Sequence, residues 1–200
     1  MAEATDALMQ RGRRLEVFTL GWNLVEAVVA GAAGLAAGST ALIGFGLDSL
    51  IESLSGGVLL WRLQDGTAGE SRERVAQRLV AVSFVALAGY VSVESVLTLS
   101  SRSEPDASIV GIVLAAVSVI VMPILARAKR SVATGLKSPA LTADSRQTDL
   151  CAYLSAILLA GLGLNALLGW WWADPLAALA MVPIMLFEAR RSWRGDSCAC

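Results

Sequence analysis

Six long apolar runs, near residues 16–37, 41–63, 76–99, 109–126, 139–168 and 174–189, take up nearly the whole 200-residue chain. A helix needs roughly 20 mainly apolar residues to cross the hydrocarbon of a bilayer. Runs of this length separated by short connections predict an all-α membrane protein, a six-transmembrane-helix bundle. The composition agrees, with 56% hydrophobic and only 16% charged residues, against about a quarter charged in a soluble domain. Little chain is left for a second folded domain. The division expected is an N-terminal tail at 1–14, a six-helix transmembrane domain at 15–192 and a short tail at 193–200.

The connections alternate in charge. Arg11, Arg13 and Arg14 precede the first run, and Arg62, Arg72, Arg74 and Arg78 lie around the second connection. Arg127, Lys129, Arg130 and Lys137 fall in the fourth, and Arg190, Arg191 and Arg194 follow the sixth run. Together these are fourteen of the sixteen basic residues, while Gly38-Ser39-Thr40, Ser100 to Ser108 and Gly169 to Asp174 hold one, Arg102. Basic residues stay on the cytoplasmic side, so six crossings place both termini in the cytoplasm of a multi-pass protein of the cell membrane. The start Met1-Ala2-Glu3-Ala4 lacks the basic and apolar regions of a cleaved signal, so the first helix is expected to be retained. Trp170-Trp171-Trp172 suit an aromatic belt at the external interface. Small residues, among them Gly31, Ala32, Ala33, Gly34, Gly56 and Gly57, predict close helix packing. Pro123 and Pro183 are predicted bend points.

Net charge of −1 gives no reason to expect a nucleic-acid partner. There is no histidine, which removes the commonest zinc ligand and general base. No nucleophile with an activating base is evident, so a membrane-embedded enzyme is not expected. What stands out is a set of acids at bilayer depth, where a charge is costly unless paired, neutralised or hydrated. Asp48 and Glu52 are four apart, on one face of the second helix. Two such like charges need a compensating cation or proton, which describes a cation site able to hold protons. In the fifth run, Asp144, Gln147 and Cys151 lie within about 60° of one another on the helix. Asp149 points about 140° from Asp144, and Ser145 with Asp149 makes a rival face that spacing alone does not exclude. Cys151 also suits a plain buried hydrophobe. Asn23, Glu26 and Glu94 add polar groups in the first and third runs. Glu26 is either a proton carrier or a partner for Arg146.

With Gly46-Leu-Asp48-Ser-Leu-Ile-Glu52-Ser-Leu-Ser and Ser138-Pro-Ala-Leu-Thr-Ala143-Asp144-Ser-Arg-Gln147-Thr-Asp149-Leu-Cys151 in view, the chain resembles the cation diffusion facilitator family of divalent-metal transporters. In that family the second helix carries two acids at i and i+4. The fifth helix has Ser, then Ala-Asp, then His three residues on and Asp four later. Leu136-Lys137-Ser138 and Asp174-Pro175 also look like the family. Gln147 stands where it usually has His, Cys151 where it usually has Asp, and Glu52 replaces Asp. Members commonly continue into a cytoplasmic metal-binding domain, so this is expected to be a short form.

The resemblance implies a secondary transporter exporting a divalent cation from the cytoplasm, with zinc, cobalt or cadmium as substrate and protons as counter-ion. Asp48, Glu52 and Cys151 would be anionic ligands, Gln147 a neutral oxygen ligand and Asp144 a carboxylate at the cytoplasmic entry. Thiolate with carboxylates suits these ions better than magnesium or calcium. The expected partners are the bilayer, the cation, protons and a second copy paired through transmembrane helices. The rival is a non-transporting metal-binding sensor or scaffold. Cys198-Ala-Cys200 is a further candidate for a soft ion.

Overall fold

The computed structural model describes residues 2–65, 70–102, 104–136 and 138–194. Lys137 and the Cys198-Ala-Cys200 tail lie outside the described residues, as do the side chains of Arg62, Arg72 and Arg74. The described residues form six α-helices: α1 Ala2–Ala37, α2 Thr40–Asp65, α3 Glu70–Ser101, α4 Ile109–Leu136, α5 Pro139–Leu168 and α6 Ala173–Arg194. Each apolar run lies inside one helix, and several helices outrun theirs. Residues 2–15 continue α1, and the basic stretch from Arg127 to Arg130 is helical in α4.

Four segments, Asp6–Ala37, Ala81–Ser101, Ile109–Leu136 and Asp144–Leu168, are long and apolar enough to cross a membrane by length and composition alone. Among the described residues, no such segment falls in α2 or α6. α2 carries Asp48 and Glu52 in its middle and touches four neighbours, α1, α3, α5 and α6. Its acids therefore face protein instead of lipid.

The bundle exposes large apolar side chains and buries charged and polar ones within its apolar core. Val17, Val28, Leu35, Ile109, Ile120 and Leu167 are each more than 60% exposed, while Glu16, Asn23, Glu26, Asp48, Glu52 and Lys129 are at most 5% exposed. A hydrocarbon solvent suits that arrangement, since exposed apolar groups cost nothing there and charged groups are kept from lipid.

Local sequence sets the helix ends. Gly38, at φ 65°, takes the left-handed turn that ends α1. Ser39 then caps α2, its Oγ accepting from the Leu42 N–H at 3.1 Å. The same hydroxyl donates to Asp174 at the start of α6, whose other oxygen accepts from the Ala41 N–H. α5 begins with Ser138 as cap and Pro139 in its first turn, and ends at Gly169, φ 65°. Beyond Gly169, Trp170 and Trp172 stack at 5.0 Å and are exposed, as a belt residue would be. Where helices touch most closely the residues are small. A Cβ on Gly46 would stand 3.0 Å from the Gly31 backbone, joining α1 to α2, and one on Gly161 would stand 2.5 Å from the Ala177 Cβ, joining α5 to α6.

Candidate metal site

Asp48 and Glu52 sit one turn apart on α2, both buried. They open onto a narrow cavity lined also by Gln147 of α5 and Glu188 of α6, with walls that include Phe84, Leu154 and Met185. Its free volume, about 10 Å3, is close to that of one water-sized sphere. Glu52 is held on one side only. Its Oε1 accepts from the Thr148 hydroxyl at 3.1 Å, while Oε2 is buried without a hydrogen-bond partner among the described residues. An unsatisfied buried carboxylate oxygen costs about 1–3 kcal/mol or more, so this oxygen is available to a ligand.

Cys151, one turn beyond Gln147 and 1% exposed, lies behind the cavity wall. Its Sγ is 3.9 Å from Glu26 Oε2, and it is within electrostatic reach of Glu52, Glu26 and Asp48. Glu26 accepts from Trp22 Nε1 at 2.8 Å, Ser49 Oγ at 3.1 Å and the Ser118 hydroxyl. These donors, and not Arg146, are its partners. Arg146 instead lies within electrostatic reach of Glu188.

Asp144 stands apart from the cavity. It is buried, and its Oδ2 accepts from Lys129 Nζ at 2.6 Å. Among the candidate residues, then, Asp48, Glu52 and Gln147 share one cavity, Cys151 lies beside it, and Asp144 belongs to a neighbouring ion pair. Among the described residues no three Asp, Glu or Cys side chains converge closely enough to hold a metal ion between them. Asp149 turns away and pairs with Arg130 at the partly exposed rim. Ser145 is buried, its hydroxyl donating to the Thr142 carbonyl at 2.8 Å.

Sequence reasoning counted Lys129 with the cytoplasmic connection and singled out neither Glu16 nor Glu188. The signal was present for all three. On α4 the buried positions Ser118, Met122, Leu125, Lys129 and Val132 continue one stripe, and on α1 Glu16, Thr19, Asn23, Glu26 and Ala30 do the same. Extending each helical stripe past the end of its apolar run brings Lys129 and Glu16 inward. On α6 the buried Asp174, Ala178, Met181 and Met185 lead to Glu188 at the same spacing, and the placement of α6 against α2 and α5 brings it to the cavity.

No curated protein matches the chain. The family model described as the cation efflux transmembrane domain matches residues 17–194, which takes in α2 to α6, α1 from residue 17 onward, and every candidate ligand. The chain is a multi-pass integral membrane protein and belongs to the cation diffusion facilitator family of cation-efflux transporters.

Proposed function

We propose that this protein exports zinc, cobalt or cadmium from the cytoplasm in exchange for protons, with both termini on the cytoplasmic side. One observation supports the site: Glu52 Oε2 is buried without a hydrogen-bond partner among the described residues, beside Asp48 and Gln147, in a cavity about the size of one small sphere. Asp48 and Glu52 supply the two negative charges that balance a divalent ion. Gln147 adds a neutral amide oxygen, and Cys151 a soft donor that favours these metals over magnesium and calcium. Asp144 is a carboxylate of the cytoplasmic approach and not a ligand of the bound ion. Ligands bind metal only when deprotonated, so protons entering from the acidic side compete with the ion and release it. Rocking of the helices about the mid-membrane site would then give alternating access.

The test is zinc binding by calorimetry and zinc flux in proteoliposomes under a pH gradient. Asp48→Asn and Glu52→Gln keep size but remove charge, and each should weaken binding by roughly tenfold or more. Flux in the parent should rise as the side receiving zinc is made acidic. Parental affinity and rate in both variants would place the site elsewhere. Binding without flux in the parent would favour the sensor or scaffold reading.

A further inference from the structure

Beside the cavity, three charged side chains from three helices meet in the interior: Glu16 of α1, Lys129 of α4 and Asp144 of α5. Their exposures are 1%, 1% and 8%. Lys129 Nζ donates to Asp144 Oδ2 at 2.6 Å, to Glu16 Oε2 at 3.2 Å and to Thr148 Oγ1 at 3.3 Å. All three ammonium protons are thereby engaged, each by an oxygen. One carboxylate would neutralise a buried lysine. Two are present, and Glu16 Oε1 is left buried with no hydrogen-bond partner among the described residues.

The surplus has a simple chemical meaning. With both carboxylates ionised, the cluster carries one negative charge with the ammonium in place, none with a divalent ion in its place, and two with neither. Two carboxylates and a hydroxyl around one small cation form an all-oxygen shell of the kind that hard divalent ions prefer. We infer that Lys129 is a tethered cation occupying a second, hard-ion site built from Glu16, Asp144 and Thr148, and that its ammonium keeps a divalent ion out of that site. The Thr148 hydroxyl that faces Lys129 also donates to Glu52, so the occupied site borders the proposed transport site directly. The lysine thus holds the neighbouring carboxylates in use while the Asp48–Glu52 cavity stays open, and the wild-type chain presents a single exchangeable ion. The inference rests on the proposed function only in treating that cavity as the transport site.

An ordinary structural ion pair would tie α1, α4 and α5 together and do nothing more. Calorimetry with manganese alone, on the detergent-purified full chain, separates the two. Lys129→Met should gain one manganese per chain, with affinity about tenfold or more above wild type. Manganese should also raise its Tm while leaving that of wild type little changed. Adding Asp144→Asn to Lys129→Met should abolish the gain, whereas adding Asp48→Asn should leave it intact. Should Lys129→Met fail to purify, Lys129→Gln, which keeps an N–H donor for Asp144, carries the same measurement. Wild-type manganese binding in the lysine variant, or a gain that survives Asp144→Asn, overturns the inference. Failure of the transport site instead appears as parental zinc binding in Asp48→Asn alone, with the manganese gain unaffected.

Discussion

Cys151 and Asp149 lie two residues apart on α5 in opposite surroundings, and under the proposed function the difference decides which of them is offered to a metal. Cys151 is buried between Glu26 and the cavity, whereas Asp149 is a third exposed and bound to Arg130. A rim pair of that kind contributes about 0–1 kcal/mol. Cys151→Ser should therefore weaken zinc or cadmium binding more than manganese binding at the parental site, because only the soft ions depend on sulfur. Cys151→Asp should move preference toward harder ions, and Asp149→Asn should change affinity little. Calorimetry on the three variants checks this, and loss of binding in Asp149→Asn with binding intact in Cys151→Ser would assign the site to the other face of α5. At this scale the acid pair was legible, because two residues four apart must share a helix face. Lys129 was not: counting bases by position along the chain does not tell whether the helix carrying them has ended.

Among the elements, α5 and α6 show how small residues set distances. A side chain on Gly161 has nowhere to go, with the Ala177 Cβ and the Ala173 carbonyl in its path, whereas Gly163, two residues on, has open space. Gly161→Ala should destabilise the protein by about 1–3 kcal/mol through overpacking. Gly163→Ala should be neutral or stabilising by up to about 1 kcal/mol, the helix-propensity gain. Thermal unfolding in detergent distinguishes them, and equal Tm values for the two variants would mean that the α5–α6 contact is looser than this geometry. Pro123 and Pro183, marked by the sequence as bend points, lie within α4 and α6 and not at their ends.

For the whole molecule, the apolar exterior and the buried charged groups fit a bilayer from either direction, so orientation rests on the bias of Arg and Lys. That bias predicts that, in a background without Cys151, Cys198 and Cys200, a membrane-impermeant thiol reagent added outside intact cells labels Ser101→Cys and misses Thr134→Cys. Both positions are exposed, at the ends of α3 and α4. The opposite pattern would invert the topology and turn the proposed export into import.

Hydropathy along the chain was enough to determine six helices, because each helix must satisfy its own backbone and can be recognised alone. Spacing within α2 and α5 likewise determined which residues share a face, through the 100° step of the helix. What those faces meet depended on the tertiary structure. Contacts such as Gly46 on Gly31 and Gly161 on Ala177 set how closely neighbouring helices approach and how they are offset along their axes. Those offsets bring Glu188 to the Asp48–Glu52 cavity and join Lys129 to Glu16, 113 residues away, and to Asp144. Periodicity gives an angle within one helix, whereas an ion pair between helices also needs their separation and axial register, and only the packed bundle supplies both.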